Sequence, residues 1–186
     1  MDAPINVKNV RIETERLILR SWHEDDLEVF YMNAFAEEDE DIDSAMLPPI
    51  EVFQRILNNI IAESKTFVLA LKDNGEIIGS LGLQPRHADS GLADKLHGRE
   101  ISYGLHKDHR GKGYMTEAVY AVCNYCFNEL NYDYLTCGYF DGNEKSKHVM
   151  ERCGFCWLKD IDTVVNQDKT VLGKLYVSYN LDKCGR

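Results

Sequence analysis

The sequence has no long apolar run and no secretory leader pattern, and each absence excludes a class of protein. No apolar run approaches the roughly 20 residues that a membrane-spanning helix needs. Residues 1–6 lack the basic-then-apolar pattern of a signal peptide. We therefore expect a cytoplasmic protein with no membrane partner.

Basic residues are also scarce, with 21 Lys and Arg against 31 Asp and Glu and a formal net charge of −10. General nucleic-acid binding needs a basic face, so this balance argues against a nucleic-acid partner. It is compatible with a cationic substrate, and solubility explains it equally well. The sequence shows no linker, repeat or low-complexity segment, so we expect residues 1–186 to form a single domain.

Six cysteines include two pairs with C-x-x-C spacing, Cys123 with Cys126 and Cys153 with Cys156. Such pairs are also found in zinc sites. However, Cys123 and Cys126 fall within a helical pattern, and neither pair has the turn residues of a zinc knuckle. We expect reduced thiols and no metal, and a zinc-dependent module remains the alternative that metal analysis would test.

The most informative stretch is residues 100–118, where a strand pattern leads through a basic, glycine-punctuated turn into an amphipathic helix. Gly111 and Gly113 allow the backbone of this turn to curl so that several N–H groups converge. The helix start adds its own N–H groups and the positive end of its dipole. The arrangement suits a phosphate or diphosphate, and an ordinary strand-to-helix turn is the alternative.

Hydrophobic periodicity and turn residues predict the order β-α-α-β-β-β-α-β-α-β-β. The predicted helices cover residues 24–36, 50–64, 112–129 and 143–152. The predicted strands cover residues 16–20, 66–71, 76–83, 100–105, 134–139, 155–165 and 174–181. Asp73-Asn-Gly75 predicts a hairpin, because a tight turn needs positive φ. The fold class is therefore a mixed α/β (α+β) sheet.

Three stretches in the right order resemble the GCN5-related N-acetyltransferase (GNAT) superfamily. Residues 14–20 resemble the opening strand of its ribosomal-protein-alanine acetyltransferase (RimJ/RimL-like) branch. Residues 100–105 with 110–114 resemble the cofactor strand and pyrophosphate loop, and residues 143–146 with 151–155 resemble the late helix. The resemblance implies a mostly antiparallel sheet flanked by helices, and a transferase that moves an acetyl group from acetyl-CoA to a primary amine.

The resemblance also implies how acetyl-CoA is held. The positions that match the family's cofactor-binding residues are Tyr103, Leu105, Arg110, Gly111, Lys112, Gly113, Tyr114, Asn143 and Ser146. The diphosphate would lie on the backbone N–H groups of residues 110–113, and the pantetheine arm would pair with backbone groups of Tyr103 and Leu105. Gly104 fits a bulge or a close backbone approach in this strand. A plain helix N-cap is the alternative for Asn143.

Three positions match catalytic roles. Glu100 is the candidate base that takes a proton from the amine, directly or through water, and an exposed strand-end glutamate is the alternative. The Leu105 N–H is the candidate donor to the oxyanion of the tetrahedral intermediate. Ser146 is a candidate acid for the leaving thiol, and an ordinary first-turn serine is the alternative.

Two positions depart from the family pattern. Asp108 stands where the loop often begins with Gln or Arg, and Met150 stands where many members have a tyrosine acid. Methionine cannot donate a proton, so Tyr103 and Tyr139 are reserve candidates for the acid. The same departure keeps open a non-catalytic acyl-CoA-binding sensor or interaction module.

The acceptor is indicated only by charge. In the resembled fold, the first two helices and the loop between them flank the acceptor groove, and here that loop carries six acidic residues within 37–43. They would attract a cationic acceptor such as a polyamine, an aminoglycoside-like drug or a basic peptide N-terminus, and a solvated loop is the alternative. A protein N-terminus and a small-molecule amine both remain open, as do a monomer and a homodimer.

Overall fold

A computed structural model describes residues 2–34, 48–87, 90–166 and 169–183. The helices are α1 (Leu27–Ala34), α2 (Ile50–Glu63), α3 (Tyr114–Asn124) and α4 (Glu144–Arg152). The strands are β1 (Arg11–Glu13), β2 (Leu17–Ser21), β3 (Thr66–Leu71), β4 (Ile77–Gln84), β5 (Gly98–Leu105), β6 (Tyr134–Phe140), β7 (Cys156–Asn166) and β8 (Lys169–Tyr179). Their order in the sheet is β1-β2-β3-β4-β5-β6-β8-β7. The sheet is mostly antiparallel, and β5 and β6 form a parallel pair.

The predicted fold class and sheet type are confirmed, with differences at the ends of elements. Strand β1 was not predicted, because three residues are too few to show a period. Strand β8 begins at Lys169 rather than residue 174. Helix α3 ends at Asn124 and continues as a π turn over Tyr125–Glu129. The predicted last two residues of the first helix lie outside the described residues.

The chain divides into two compact units. We call Ile5–Gly82 with Tyr103–Tyr114 the N-unit. We call Met1–Pro4 with Leu83–Ser102 and Met115–Arg186 the C-unit. The single domain expected from the sequence stays a prediction.

The N-unit core forms where α1 and α2 pack on β3. Trp22, Leu57 and Val68 are buried together, and Phe30 and Ile60 pack against them. The Trp22 and Phe30 rings meet edge to face, with centroids 5.1 Å apart. Such aromatic pairs add to the apolar burial that anchors these helices. The predicted hairpin turn lies in this unit, with Gly75 at φ 75°.

The C-unit core lies on the apolar stripe of α3 and on strands β6 and β8. Met115, Ala118, Val119 and Val122 of α3 are buried, as the helical spacing predicts. The buried Asn180 donates through Nδ2 to the carbonyls of Phe127 and Tyr132, at 3.2 and 3.0 Å. These bonds satisfy one carbonyl within the π turn and one in the connection to β6.

Five cysteines lie in the described part of the chain and are free thiols. Cys156 is exposed, and the other four are buried: Cys123, Cys126, Cys137 and Cys153. Within the described ranges, no group of three or more His, Cys, Asp or Glu side chains is placed to hold a metal ion. None of the described helices is long and apolar enough to cross a membrane.

Candidate active site

In the N-unit, the turn between β5 and α3 has the backbone that its glycines predict. A 3-10 turn over Lys107–His109 is followed by Gly111 at φ 75° and Gly113 at φ 83°. These angles lie in the left-handed region that glycine adopts without strain. A Cβ added at Gly111 would meet nothing within 4 Å, so the space beside this residue is open. We call residues 110–113 the glycine loop.

The backbone N–H groups of the glycine loop fall into two sets. The Arg110 N–H donates to the Lys107 carbonyl at 3.3 Å, so it already serves the 3-10 turn. For Gly111, Lys112 and Gly113, the described part of the chain supplies no acceptor to the backbone N–H. The first turn of α3 adds N–H groups that have no partner within the helix. The backbone N–H groups of Gly111, Lys112 and Gly113 can therefore bind an anion, and the positive end of the α3 dipole favours it.

Charged side chains around the loop are already engaged inside the N-unit. The Arg110 Nε donates to the Leu105 carbonyl at 2.9 Å. His109 Nε2 lies 3.0 Å from Glu76 Oε1, which ties the 3-10 turn to the β3–β4 hairpin. The His106 side chain accepts the Asp108 N–H at 3.4 Å. The predicted basic cluster thus also builds the loop, rather than serving a ligand alone.

Arg16, which no sequence pattern indicates as a site residue, precedes β2 and contacts the glycine loop. Its Nη1 donates to the Lys112 carbonyl at 2.9 Å. Its Cζ lies 4.4 Å from the centroid of the Tyr114 ring, within cation–π distance. The two partners of the hydrogen bond are 96 residues apart, so no local pattern could have revealed the contact.

Strand β5 orients the backbone groups of Tyr103 and Leu105. The His106 N–H donates to the Ile78 carbonyl on β4 at 2.8 Å. The Gly104 carbonyl also faces β4, because a Cβ on Gly79 would overlap its oxygen. Successive residues of a strand turn their backbone groups to opposite edges, so those of Tyr103 and Leu105 point away from β4. The close approach therefore requires a glycine at position 79, whereas a Cβ at Gly104 would meet nothing within 4 Å.

In the C-unit, the parallel pairing of β5 with β6 is short. It runs from Gly98 opposite Tyr134 to Ile101 opposite Cys137. Residues 102–105 of β5 extend beyond the last of these pairs. All four pairs lie within the C-unit.

Glu100 lies in the paired part of β5, opposite Thr136. It is partly buried rather than fully exposed, and β5 begins two residues earlier than predicted, at Gly98. Burial raises the pKa of the Glu100 carboxyl, whereas the charge and the backbone N–H of His87 lower it, and the net direction is upward. A carboxylate with a raised pKa accepts a proton more readily near neutral pH.

Helix α4 begins with Asn143 as its N-cap, which is the alternative that the sequence left open for this residue. Asn143 is the N-cap, and its Oδ1 accepts the Ser146 N–H at 3.2 Å. Ser146 is half-buried in the first turn of the helix. The capping bond uses only Oδ1 of Asn143, so the amide nitrogen can still donate to a cofactor. The cofactor contact of Asn143 and the acid role of Ser146 both stay predictions.

The other candidate acids differ in burial. Met150 is fully buried, so the usual position of the family acid is part of the C-unit core. Tyr139 is 6% exposed, and its ring centroid lies 5.7 Å from that of Tyr176. Burial raises the pKa of the Tyr139 phenol, which makes it a weaker proton donor. Tyr103 is partly buried in the N-unit, and its role stays a prediction.

Comparison with known proteins defines the class. A family model described as an acetyltransferase (GNAT) domain matches residues 16–156, which is more than half of the chain. The chain belongs to this family. In Bacillus subtilis, a protein named "Probable N-acetyltransferase YjcK" is 46% identical over 55 residues, which cover 30% of each chain. The chain spans less than two thirds of the length of the first curated relatives that it matches.

Solved structures agree with this fold. A GNAT-family acetyltransferase from Bacillus anthracis has a TM-score of 0.76 at 18% identity and covers 92% of this chain and 99% of its own. A ribosomal-protein-S5-alanine acetyltransferase from Vibrio fischeri has a TM-score of 0.71 at 20% identity, over 94% and 98% of the two chains. The chain therefore has the GNAT acetyltransferase fold, and domains of this family use acetyl-CoA. The open space at Gly111 and the three unbonded N–H groups fit a diphosphate.

Proposed function

We propose that this chain acetylates a primary amine by direct attack of the amine on the thioester of acetyl-CoA, with Glu100 as the base. The observation that carries the proposal is the partly buried Glu100 carboxyl, whose pKa is raised by burial. An aliphatic amine is mostly protonated at neutral pH and must lose a proton before it attacks. A carboxylate with a raised pKa takes that proton, directly or through one water molecule.

Backbone groups of the N-unit would hold the acetyl donor. The N–H groups of Gly111, Lys112 and Gly113 would bind the diphosphate. Backbone groups of Tyr103 and Leu105, which point away from β4, would pair with the amides of the pantetheine arm, and the Leu105 N–H would donate to the thioester carbonyl oxygen. Acetyl-CoA supplies the acetyl group and a thiolate leaving group.

The leaving thiolate needs a proton, and this chain lacks the tyrosine that donates it in many members of the family. Met150 has no proton to donate, and burial of Tyr139 makes its phenol a weaker acid. Ser146 in the first turn of α4 is the proposed donor. Asn143 would place this turn through its N-cap bond to the Ser146 N–H.

The proposed acceptor is a cationic primary amine. The formal net charge of −10 favours the approach of cations over a long range. Two kinds of acceptor carry this chemistry: the N-terminus of a basic protein and a small polyamine or aminoglycoside. The V. fischeri neighbour is named for the first kind, a ribosomal protein.

The first experiment is isothermal titration of the protein with acetyl-CoA, using Gly111→Glu and a matched control. Gly75→Glu is the control because Gly75 has the same φ of 75° and the same open space beside it, but lies in the β3–β4 hairpin. Both variants carry the same added charge and backbone strain, so only Gly111→Glu should lose acetyl-CoA binding. Equal binding by all three proteins would contradict the role of the glycine loop.

Mass analysis of acetylated products then identifies the acceptor. Whole ribosomal proteins, polyamines and aminoglycosides would be incubated with acetyl-CoA and the enzyme. Acetylation of one class, lost in Glu100→Gln, supports the proposed reaction. Tight acetyl-CoA binding with no turnover on any amine would favour the alternative that the buried Met150 keeps open, an acyl-CoA-binding sensor.

A further inference from the structure

Arg16 contacts Lys112 and Tyr114, which lie on either side of Gly113 at the junction of the glycine loop and α3. Its Nη1 donates to the Lys112 carbonyl at 2.9 Å. A Cβ at Gly113 would lie 3.4 Å from its Nη2. Its guanidinium stacks on the Tyr114 ring, with Cζ 4.4 Å from the centroid. A planar guanidinium that bonds to Lys112 and stacks on Tyr114 restrains residues 112–114 more closely than a lysine ammonium group would, because the ammonium group cannot stack.

The hydrogen bond to Lys112 determines the direction of the next N–H group. The described chain contains no cis peptide, so the Lys112–Gly113 peptide is trans. In a trans peptide, the carbonyl and the N–H lie on opposite sides of the chain. Because Arg16 Nη1 donates to the Lys112 carbonyl, the Gly113 N–H points to the opposite side of the chain, away from the guanidinium.

The position of Arg16 itself is set by β2 and β3. The Lys72 N–H donates to the Arg16 carbonyl at 2.9 Å, which continues the pairing of Leu17 with Leu71. The guanidinium therefore extends from an anchored backbone to a loop that includes two left-handed glycines. Such a loop has many accessible conformations when nothing holds it, because glycine restricts φ so little.

We propose that Arg16 is a positioning residue of the acetyl-CoA site, which fixes the Lys112–Gly113 peptide so that the Gly113 N–H faces the diphosphate. This role rests on the proposed binding of acetyl-CoA at the glycine loop. Arg16 affects the ligand only through the loop backbone. The Tyr114 ring, on which the guanidinium stacks, keeps the guanidinium oriented toward the Lys112 carbonyl. Loss of Arg16 should therefore weaken acetyl-CoA binding by about tenfold, because a charge-assisted hydrogen bond is lost and the loop must be ordered on binding.

One resonance reports the orientation of this peptide directly. Lys112-Gly113 is the one Lys-Gly dipeptide in the sequence. Protein labelled with carbonyl-13C lysine and 15N glycine therefore gives a single carbonyl-coupled amide signal, that of Gly113. We expect Arg16→Ala to move this signal in the ligand-free protein, and acetyl-CoA to move it in the wild type.

Two further variants test whether geometry or charge matters. Arg16→Lys keeps the charge and the ability to donate hydrogen bonds but loses the planar stacking group, so it should bind acetyl-CoA more weakly than the wild type. Arg11→Ala removes an exposed arginine from the neighbouring strand β1, where it pairs with Glu13, and should behave as the wild type. If Arg16→Ala folds poorly, Tyr114→Leu removes the stacking surface and should move the same signal.

The outcomes separate this proposal from the proposed function. If the wild type fails to bind acetyl-CoA, the proposed function fails, and the ligand-free signal of Arg16→Ala still tests the positioning role. An unmoved Gly113 signal in Arg16→Ala would overturn the positioning role, whatever the affinity. Wild-type affinity in Arg16→Lys, together with a loss in Arg16→Ala, would also overturn it, because charge alone would then suffice.

Discussion

Glu100 must be ionised to accept a proton, and its environment resists ionisation. Burial raises the pKa of this carboxyl in the folded chain, although His87 partly offsets the effect. A raised pKa in the folded state means that folding stability falls as pH rises through that pKa. Ionisation of Glu100 therefore costs folding stability, which a glutamine at the same position would not.

We expect Glu100→Gln to lower kcat by about 10²–10⁴-fold and to raise Tm at pH 7. The rate falls because the base is removed, and Tm rises because an amide has no charge to desolvate. Steady-state kinetics and thermal unfolding at pH 7 measure the two effects. The control is Glu129→Gln, at an exposed position in the same unit, which should change neither. A kcat within a few-fold of the wild type would show that Glu100 is not the base.

Residue types and local spacing predicted the residues of the glycine loop, but not their partners. Gly111 and Gly113 were predicted to let the turn curl, and both have positive φ. The family resemblance, rather than the glycines alone, favoured a cofactor loop over an ordinary strand-to-helix turn. Arg16 could not be identified in this way, because its partner Lys112 is brought to it by the sheet. The need for a glycine at position 79 was missed for the same reason. The Gly104 carbonyl on the neighbouring strand excludes a side chain there.

Elements with a strong period or a capping signal were predicted within a residue or two. Helix α2 begins at Ile50 as its apolar spacing indicates, and Asn143 caps α4. The sequence did not predict that α3 ends in a π turn, because π turns are rare and the apolar spacing indicates an ordinary helix as far as residue 129. Strand β1 was missed because its pairing with β2, rather than its own three residues, makes it a strand.

The start of α4 allows capping and cofactor binding to be separated by substitution. Asn143→Ala removes the acceptor of the Ser146 N–H and should lower the free energy of unfolding by about 1 kcal/mol. Asn143→Ser keeps a good N-cap but lacks the side-chain amide, so Tm should stay near the wild-type value while acetyl-CoA affinity falls. Thermal unfolding and titration with acetyl-CoA measure these changes. Wild-type affinity in Asn143→Ser would show that Asn143 is only a cap.

The whole molecule carries an excess of ten negative charges, and this excess should influence which amines serve as acceptors in the proposed reaction. The acidic residues within 37–43 contribute six of the acidic groups and lie outside the described residues. Opposite charges attract over about 10 Å at 0.1 M salt and much less at higher ionic strength. A polyamine should therefore be a better acceptor at low salt than at high salt.

We expect the KM for a polyamine to rise several-fold when the acidic residues within 37–43 are replaced by Asn and Gln. The salt dependence of kcat/KM should flatten in the same variant, because fewer charges remain to be screened. An acidic peptide with a free N-terminus serves as the control acceptor, since salt should improve its use. An unchanged KM and salt dependence for the polyamine would show that the acidic run is only solvated surface.

The reactivity of the buried cysteines in the C-unit can measure how often this unit opens. Burial raises the pKa of Cys123 and Cys126, and it raises that of Cys153 to about 11, so these thiols stay protonated and unreactive in the folded chain. A coloured thiol reagent should label Cys156 quickly and reach the buried cysteines only when the C-unit opens. The slow phase of labelling then measures the frequency of that opening, and a ligand that binds the native state should slow it further.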